Sequence, residues 1–183
     1  DYSQGSLKNT GNKLDVGIDG RGFFEVMTPA GVRFTRAGNF TLDGTGQLVT
    51  KDGFPVLKSS EPGADPASRI FQVTGQGDVS ISDNGEVYEG NQALGKLSVI
   101  DTVDKDSLRK QGMSLYGFKP GAENQSAPVL NPSLRQGFVE ISNVNIVQEM
   151  TDMIQTQRVF ESTQKVISAY DSMADKVSNV IGK

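Results

Sequence analysis

The chain has 183 residues, a net charge of −4 at pH 7, and neither cysteine nor histidine. Its length suits one domain, or one domain with an appendage. The composition excludes disulfides, Cys/His metal sites and His-dependent catalytic triads, and the lack of a basic run gives no support to a nucleic-acid partner.

Glycine turns and short apolar runs characterise the chain from residue 14 to residue 57. The run FFEV follows Gly20 and Gly22, and VRFTRAG alternates apolar with polar side chains, as in a half-buried strand. Asp43-Gly44 and Asp52-Gly53 predict turns, and the second is typical of a type I′ hairpin. We therefore predict a meander of strands in which the glycines serve backbone geometry.

A polar break at residues 58–69, with two prolines, predicts a loop. Residues 70–103 predict further strands, with a hairpin at Asn84-Gly85, and one helical turn anchored by Leu108 is predicted within residues 104–112. Residues 117–136 contain three prolines and predict an extended loop. The segment GFVEIS then predicts a last short strand.

One long helix is predicted at the C-terminal end. Asn145 is a suitable N-cap, and Gln148 stands where a capping box places its second residue. No Gly or Pro follows until Gly182, so we expect about 36 helical residues, or about 54 Å of helix. The predicted fold class is mainly β, with a β-meander and hairpin domain at 1–141, variable at about 58–135, and a long C-terminal α-helix within 142–183.

Apolar residues form a stripe along this helix, with the spacing of a coiled-coil seam. The candidate interface residues are Ile146, Met150, Met153, Ile154, Phe160, Ile167, Tyr170, Met173 and Val177. Gln157 and Gln164 fall on the same seam and favour a specified register with another helix over a deeply buried core helix. The alternative is a helix that folds back along its own β domain.

Outside this helix, the sequence gives only weak indications of a catalytic or binding site. Most Asp residues stand beside glycines at predicted turns, where Asp favours the local backbone conformation. We expect no cofactor, no metal site and no small-molecule substrate, and no apolar run is long enough for membrane insertion. Two alternative function classes are a secreted β-rich adhesin or binding module with a helical stalk, and a small hydrolase that uses a carboxylate pair.

Four stretches carry patterns shared with one known family. They are YSQGSLKNTGNKLDVGIDGRGFFEV, FTRAGNFTLDGTGQLVTKDGFPVL, LRKQGMSLY and QGFVEISNVNIVQEMTDMIQTQRVFE. In these stretches the chain resembles the rod and hook family of axial proteins of the bacterial flagellum. The family-motif positions are Gly22, Phe23, Phe24, Arg36, Gly38, Ser142, Asn143, Asn145, Arg158 and Glu161.

The resemblance implies a structural subunit of the flagellar basal-body rod, the drive shaft that transmits motor torque to the hook, rather than an enzyme. Residues 1–141 would form the outer tube of the rod, and the helix would form the coiled-coil inner tube. The short middle segment favours a rod protein over the hook protein. Because VLKSSEPGADPAS departs from the Pro-rich strand of the distal rod protein, we favour the proximal rod protein.

The resemblance also implies partners and a location. The partners would be other rod and hook-family subunits, further copies of the same chain, and an N-terminal helix that family members carry and this sequence lacks. The chain opens without Met, so we expect its natural N-terminus to be missing. The expected location is the rod in the periplasmic space, reached through the flagellar type III export apparatus without a cleaved signal peptide.

Overall fold

Short antiparallel strands are followed by one long helix. The computed structural model describes residues 3–61, 63–102, 104–112, 114–121 and 126–181, with side chains up to residue 176. The chain divides into a β unit, residues 1–143, and a helical unit, residues 144–183. The predicted fold class, mainly β with a long C-terminal α-helix, is confirmed. No helix in the described part of the chain is long and apolar enough to cross a membrane.

The β unit is made of many strands of three to six residues, and the helix α1 spans Ile146–Ile181. Two 3-10 helices, Pro66–Arg69 and Lys105–Ser107, interrupt the strands. The strands are β1 (Leu7–Asn9), β2 (Val16–Ile18), β3 (Phe23–Thr28), β4 (Gly31–Thr35), β5 (Phe40–Leu42), β6 (Leu48–Thr50), β7 (Val79–Ile81), β8 (Glu86–Glu89), β9 (Gln92–Lys96), β10 (Val99–Thr102), β11 (Leu108–Lys110), β12 (Leu115–Phe118), β13 (Ser126–Pro128), β14 (Leu134–Gln136) and β15 (Phe138–Glu140).

The strands of the described residues form five small sheets in the β unit. The largest has the strand order β11-β12-β4-β3-β10-β13, so the apolar strand β10 lies inside the sheet. The order of a second sheet is β7-β8-β9, and its first two strands form the hairpin predicted at Asn84-Gly85. The pairs β1-β15, β14-β2 and β5-β6 complete the set, and all the pairings are antiparallel.

The alternation along β3 explains why the six-stranded sheet is covered on both faces. Phe24 and Val26 point into the main core, where the Phe24 ring meets that of Phe40 edge-on at 5.1 Å. Phe23 points the other way, into a smaller cluster with Phe34 and Leu108. Because successive side chains of a strand lie on opposite faces, the adjacent phenylalanines anchor one strand in two apolar layers.

The Pro-rich segment 117–136 is not a loop throughout, so that prediction is wrong. It holds the end of β12 and the strands β13 and β14. Pro128 pairs with Ile100 at the edge of the six-stranded sheet, where a missing N–H costs no hydrogen bond in the ladder. Leu134 is buried in the main core and pairs with Ile18. Its neighbours in the sequence are polar, so the sequence does not indicate this burial.

The turn at Asp52-Gly53 exists, but it is not of type I′. A type I′ turn needs positive φ at both central residues, and no non-glycine residue in the described ranges has positive φ. The N–H of Gly53 donates to the carbonyl of Thr50 at 2.9 Å, which places Gly53 at the last position of the turn. Glycine is favoured at that position in type I turns.

Carboxylates at the turns hold the backbone, as their positions beside glycines predict. The Asp43 carboxylate accepts bonds of 2.8 Å from the N–H groups of Thr45 and Gln47. These bonds, that from Gln47 foremost, lower the pKa of Asp43. Glu89 likewise accepts from the N–H groups of Thr74, at 2.9 Å, and Gln76, at 2.7 Å. The bonds stabilise the charged carboxylate and lower the pKa of Glu89, and the bond from the Thr74 backbone contributes most.

We expect Glu89→Gln to destabilise the β unit, because a neutral amide accepts fewer and weaker bonds from the 74–76 loop. The lowered pKa means that the native carboxylate stabilises the fold at pH values above 4.5, the ordinary pKa of Glu. That contribution is lost as the pH falls through the lower, folded-state pKa. Urea unfolding from pH 7 to pH 3 should show the difference between native chain and variant shrinking at acid pH. A difference that does not change with pH would contradict the charged role of Glu89.

Candidate functional site

The helix α1 begins at a side-chain cap. The Asn145 Oδ1 accepts bonds from the N–H groups of Val147, at 3.1 Å, and Gln148, at 3.3 Å. The predicted cap is therefore confirmed. The reciprocal half of the predicted capping box is wrong, because no bond from the Asn145 N–H to the Gln148 side chain is among the described contacts. The Gln148 amide instead donates to Asp152, one turn further on, at 3.0 Å.

The apolar stripe of α1 is exposed. Every described side chain from residue 146 to residue 176 is exposed in the single chain. The exposed fraction lies between 53% and 70% for each of eight predicted interface residues, namely Ile146, Met150, Met153, Ile154, Phe160, Ile167, Tyr170 and Met173. The ninth, Val177, has its side chain outside the described residues.

Polar groups along α1 bond within the helix. The Gln157 amide donates to the Glu161 carboxylate at 3.2 Å. The Thr163 hydroxyl donates to the carbonyl of Val159 at 2.9 Å, which leaves its methyl group for packing. Arg158 and Glu161, two family-motif residues, are both exposed. The surface of α1 is thus an apolar stripe with a polar border, which suits contact with another helix.

Three exposed valines on α1 were not among the predicted interface residues. Val147, Val159 and Val166 are 73%, 66% and 52% exposed. A seam that starts at Ile146 and continues at intervals of four and three residues does not include these valines. The missed signal is the interval of seven that joins Val159 to Val166 and Val166 to Met173.

The segment before α1 is tied to the first described residues. The Asn143 side-chain amide donates to the Ser3 carbonyl at 3.0 Å and to its hydroxyl at 2.8 Å. The Ile141 N–H donates to the Ser6 carbonyl at 3.0 Å, next to the β1-β15 pair. The motif residues Ser142 and Asn143 thus belong to the segment at which the two ends of the β unit meet.

Arg36 links three parts of the β unit. Its guanidinium contacts the Glu140 carboxylate through Nε at 2.8 Å and Nη2 at 2.7 Å. Its Nη1 donates to the carbonyls of Gly20, at 2.9 Å, and Gly22, at 2.8 Å. Glu140 also accepts from the Gly5 N–H at 2.8 Å. Because side chains of the pair are only 20% and 13% exposed, this network is shielded and fixes β15, just before α1, against the turn before β3.

The two motif glycines stand where a side chain does not fit. A Cβ on Gly38 would lie 1.7 Å from the carbonyl oxygen of Val16. Gly22 has a φ of +118°, and a Cβ there would lie 2.7 Å from Val99. With Phe23 and Phe24 in the two apolar layers, all these motif residues hold the β unit rather than perform chemistry. The described residues contain no group of three carboxylates that could hold a metal ion.

Two family models match the chain. Residues 17–89 match the D1 domain of the flagellar hook proteins FlgE/F/G, and residues 135–180 match the C-terminal part of the flagellar basal body rod FlgEFG proteins. The chain is 39% identical over 184 residues to the flagellar basal-body rod protein FlgG of Buchnera aphidicola from Schizaphis graminum, an alignment that covers 98% of this chain and 69% of that protein. The chain belongs to the flagellar basal-body rod protein family.

Other members of this family are also similar over nearly the whole length of the chain. FlgG of Bacillus subtilis is 36% identical, with 98% of this chain and 69% of the relative covered. FlgF of Caulobacter vibrioides is 32% identical, with 100% and 71% covered. The chain is therefore a structural subunit of the basal-body rod and not an enzyme, and the adhesin alternative finds no support. FlgG names lead in identity, and the names do not distinguish proximal from distal rod proteins, so the preference for the proximal rod protein stays a prediction.

We expect Arg36→Lys to lower the free energy of unfolding of the β unit by about 1–3 kcal/mol, because Lys lacks the planar fork that serves Glu140 and two carbonyls together. The matched control is Arg135→Lys. Arg135 contacts Asp19 at 2.7 Å, but the side chains are 55% and 38% exposed, so the expected loss is below about 1 kcal/mol. Urea unfolding at pH 7 measures both variants. Equal losses would show that the Arg36 network adds nothing beyond a surface ion pair.

Proposed function

We propose that the two units of the chain have different roles in the rod. Residues 1–141 would form the outer β body of the rod, and the helix within residues 142–183 would join the coiled-coil inner tube. The stripe residues of α1 would be the assembly interface, and the Arg36 network would hold β15 and the start of the helix segment in a fixed geometry. The shielding of that network supports a rigid body.

The exposed apolar stripe of α1 carries this proposal. Eight large apolar or aromatic side chains, each more than half exposed, lie on one helix. Soluble monomers rarely leave this many large apolar side chains in water, and such exposure marks interaction sites. A helix also gains most of its stability from packing of its apolar face. Contact with further helices in an assembly would supply that packing.

One partner of the stripe would be a helix that precedes the first described residues. Asn143 bonds to Ser3, and Ile141 bonds to Ser6. The chain at residue 3 therefore lies next to Asn143, three residues before α1 begins. A preceding helix would therefore start out close to the first turn of α1. This supports pairing between the two helices, with Met150 and Met153 in the seam.

The remaining contacts would be made with other rod and hook-family subunits and with further copies of this chain. Contacts between different surfaces of like subunits repeat without closing and so build a helical filament. Close packing of both units along such a filament would resist twisting, which is what a drive shaft needs to pass torque to the hook.

The location that follows is the part of the rod within the periplasmic space. Delivery there would use the flagellar type III export apparatus, without a cleaved signal peptide. The absence of cysteine from the sequence suits this route, since the chain then needs no oxidative folding after export.

The proposal is tested by placing a charge in the stripe. Met153→Asp and Phe160→Asp should each abolish motility when they replace the native residue in cells, because each would bury a carboxylate in an apolar contact. Folding of the isolated chain should change by less than about 0.5 kcal/mol, since both positions are exposed in it. Soft-agar motility, rod content of isolated basal bodies and thermal unfolding measure these effects.

Ser172→Asp is the matched control, since Ser172 is exposed on α1 and its hydroxyl bonds only to the Ser168 carbonyl at 2.8 Å. This variant should remain motile. Motile cells with normal rods from Met153→Asp and Phe160→Asp would overturn the interface role. A large loss of stability in the isolated chain would instead mean that these residues pack inside it.

A further inference from the structure

Gly5 lies where the two ends of the β unit touch, here called the first end segment, residues 3–5, and the last end segment, residues 141–143. A Cβ on Gly5 would lie 1.8 Å from the carbonyl oxygen of Ile141 and 3.3 Å from the backbone nitrogen of Asn143. Both neighbours are backbone atoms, which cannot turn aside as the tip of a long side chain can. A side chain at position 5 must therefore push the two end segments apart.

Glycine is needed at this position for space and not for backbone conformation. Gly5 does not have a positive φ, so alanine can adopt the same backbone angles. A Cβ essentially never comes within 3.0 Å of a heavy atom of this kind. Alanine at position 5 would therefore separate the end segments by more than an ångström.

Hydrogen bonds hold the first end segment in place. The Gln4 side-chain amide donates to the Ile18 carbonyl at 3.0 Å, and its Oε1 accepts from the Gly20 N–H at 3.0 Å. The Gly5 N–H donates to the Glu140 carboxylate at 2.8 Å. The side chains of the last end segment are exposed, so the last end segment is the one that added volume would displace.

We infer that Gly5 is a positioning residue for rod assembly, because it sets the separation at which the two ends leave the β unit. This inference rests on the proposed function, in which a preceding helix pairs with α1. Packed helices keep their axes 8–10 Å apart, a range of about 2 Å. A displacement of more than an ångström where the pair begins takes up more than half of that range. A side chain at position 5 would thus disturb the pairing although it removes no residue from the helix interface.

Two other glycines without positive φ allow matched substitutions to alanine. A Cβ on Gly38 would lie 1.7 Å from the carbonyl oxygen of Val16, but Gly38 is buried inside the β unit. A Cβ on Gly44 would meet nothing within 4 Å. Gly38→Ala should therefore disrupt the fold and Gly44→Ala should have little effect, whereas Gly5→Ala should keep the fold and lose assembly.

The isolated chain tests the fold and the position of the end segments separately. Gly5→Ala should lower Tm by less than about 4 °C, and Gly38→Ala should lower it much further. Because the sequence has no cysteine, Ser3→Cys and Asn143→Cys can report on position, since the native side chains contact each other at 2.8 Å. A short thiol cross-linker should join these two positions several-fold less in a Gly5→Ala background than in a Gly44→Ala background.

Cells that carry the same substitutions in the whole protein test assembly. Gly5→Ala should reduce the rod content of isolated basal bodies and soft-agar motility several-fold, while Gly44→Ala leaves both at the native level. Gln4→Ala is a second variant that adds no atoms and so cannot unfold the chain by overpacking. Because it removes both bonds of the Gln4 side chain, it should lower cross-linking and rod content in the same direction, by a smaller factor.

Several outcomes would overturn the inference. One is an unchanged cross-linking yield in Gly5→Ala, and another is normal rods despite a reduced yield. A third is unfolding of Gly5→Ala together with native rods from Gln4→Ala, because Gly5 would then serve only the fold. Met153→Asp distinguishes these outcomes from failure of the proposed function, which fails if that variant builds normal rods, whatever the result for Gly5→Ala.

Discussion

The apolar stripe of α1 must be removed from water, and the other features of the chain depend on that constraint. Burying a large apolar side chain stabilises by roughly 1.5–3 kcal/mol, so burial of the eight described stripe residues would offset much of the roughly 4–15 kcal/mol that association costs. The helix has no glycine or proline inside it and has a side-chain cap at Asn145. Its sequence therefore favours helix formation, and under the proposed function further stability would come from partners outside the chain.

The β unit differs from this exposed helix, because most of its large apolar side chains are buried within the unit itself. Phe23 and Phe24 fill two apolar layers from one strand, and Arg36 joins the turn before β3 to Glu140 on β15. The same strand pairs with β1, so the two ends of the β unit leave it side by side. A body of this kind can hold a pair of helices at a fixed starting point, which a flexible linker cannot do. Under the proposed function, rigidity in the β unit and apolar exposure on the helix would serve one structural role in the rod.

Much of this arrangement follows from the sequence, and the exceptions have physical causes. The long helix and the apolar strand that follows Gly22 were predicted, because both signals depend on residues that are close together in the sequence. The strand β1, with side chains largely on the surface, and the strand β13, which contains Pro128, carry no alternation and are fixed by their partners instead. The Arg36–Glu140 pair joins residues 104 positions apart, which spacing cannot indicate. On α1, a seam counted from Ile146 at intervals of four and three residues does not include Val159 and Val166, which lie on a neighbouring column.

Hydrogen exchange at residues 146–181, compared between the isolated chain and assembled rods, tests the central claim most directly. If the stripe needs outside partners, the amides of α1 should exchange quickly in the dilute isolated chain, with the first turns slowed most by the Asn145 cap. The same amides should be strongly protected in the rod, while the β unit is protected in both. Strong protection of α1 in the isolated chain, equal to that in the rod, would mean that the helix is already packed and would contradict its role as the assembly interface.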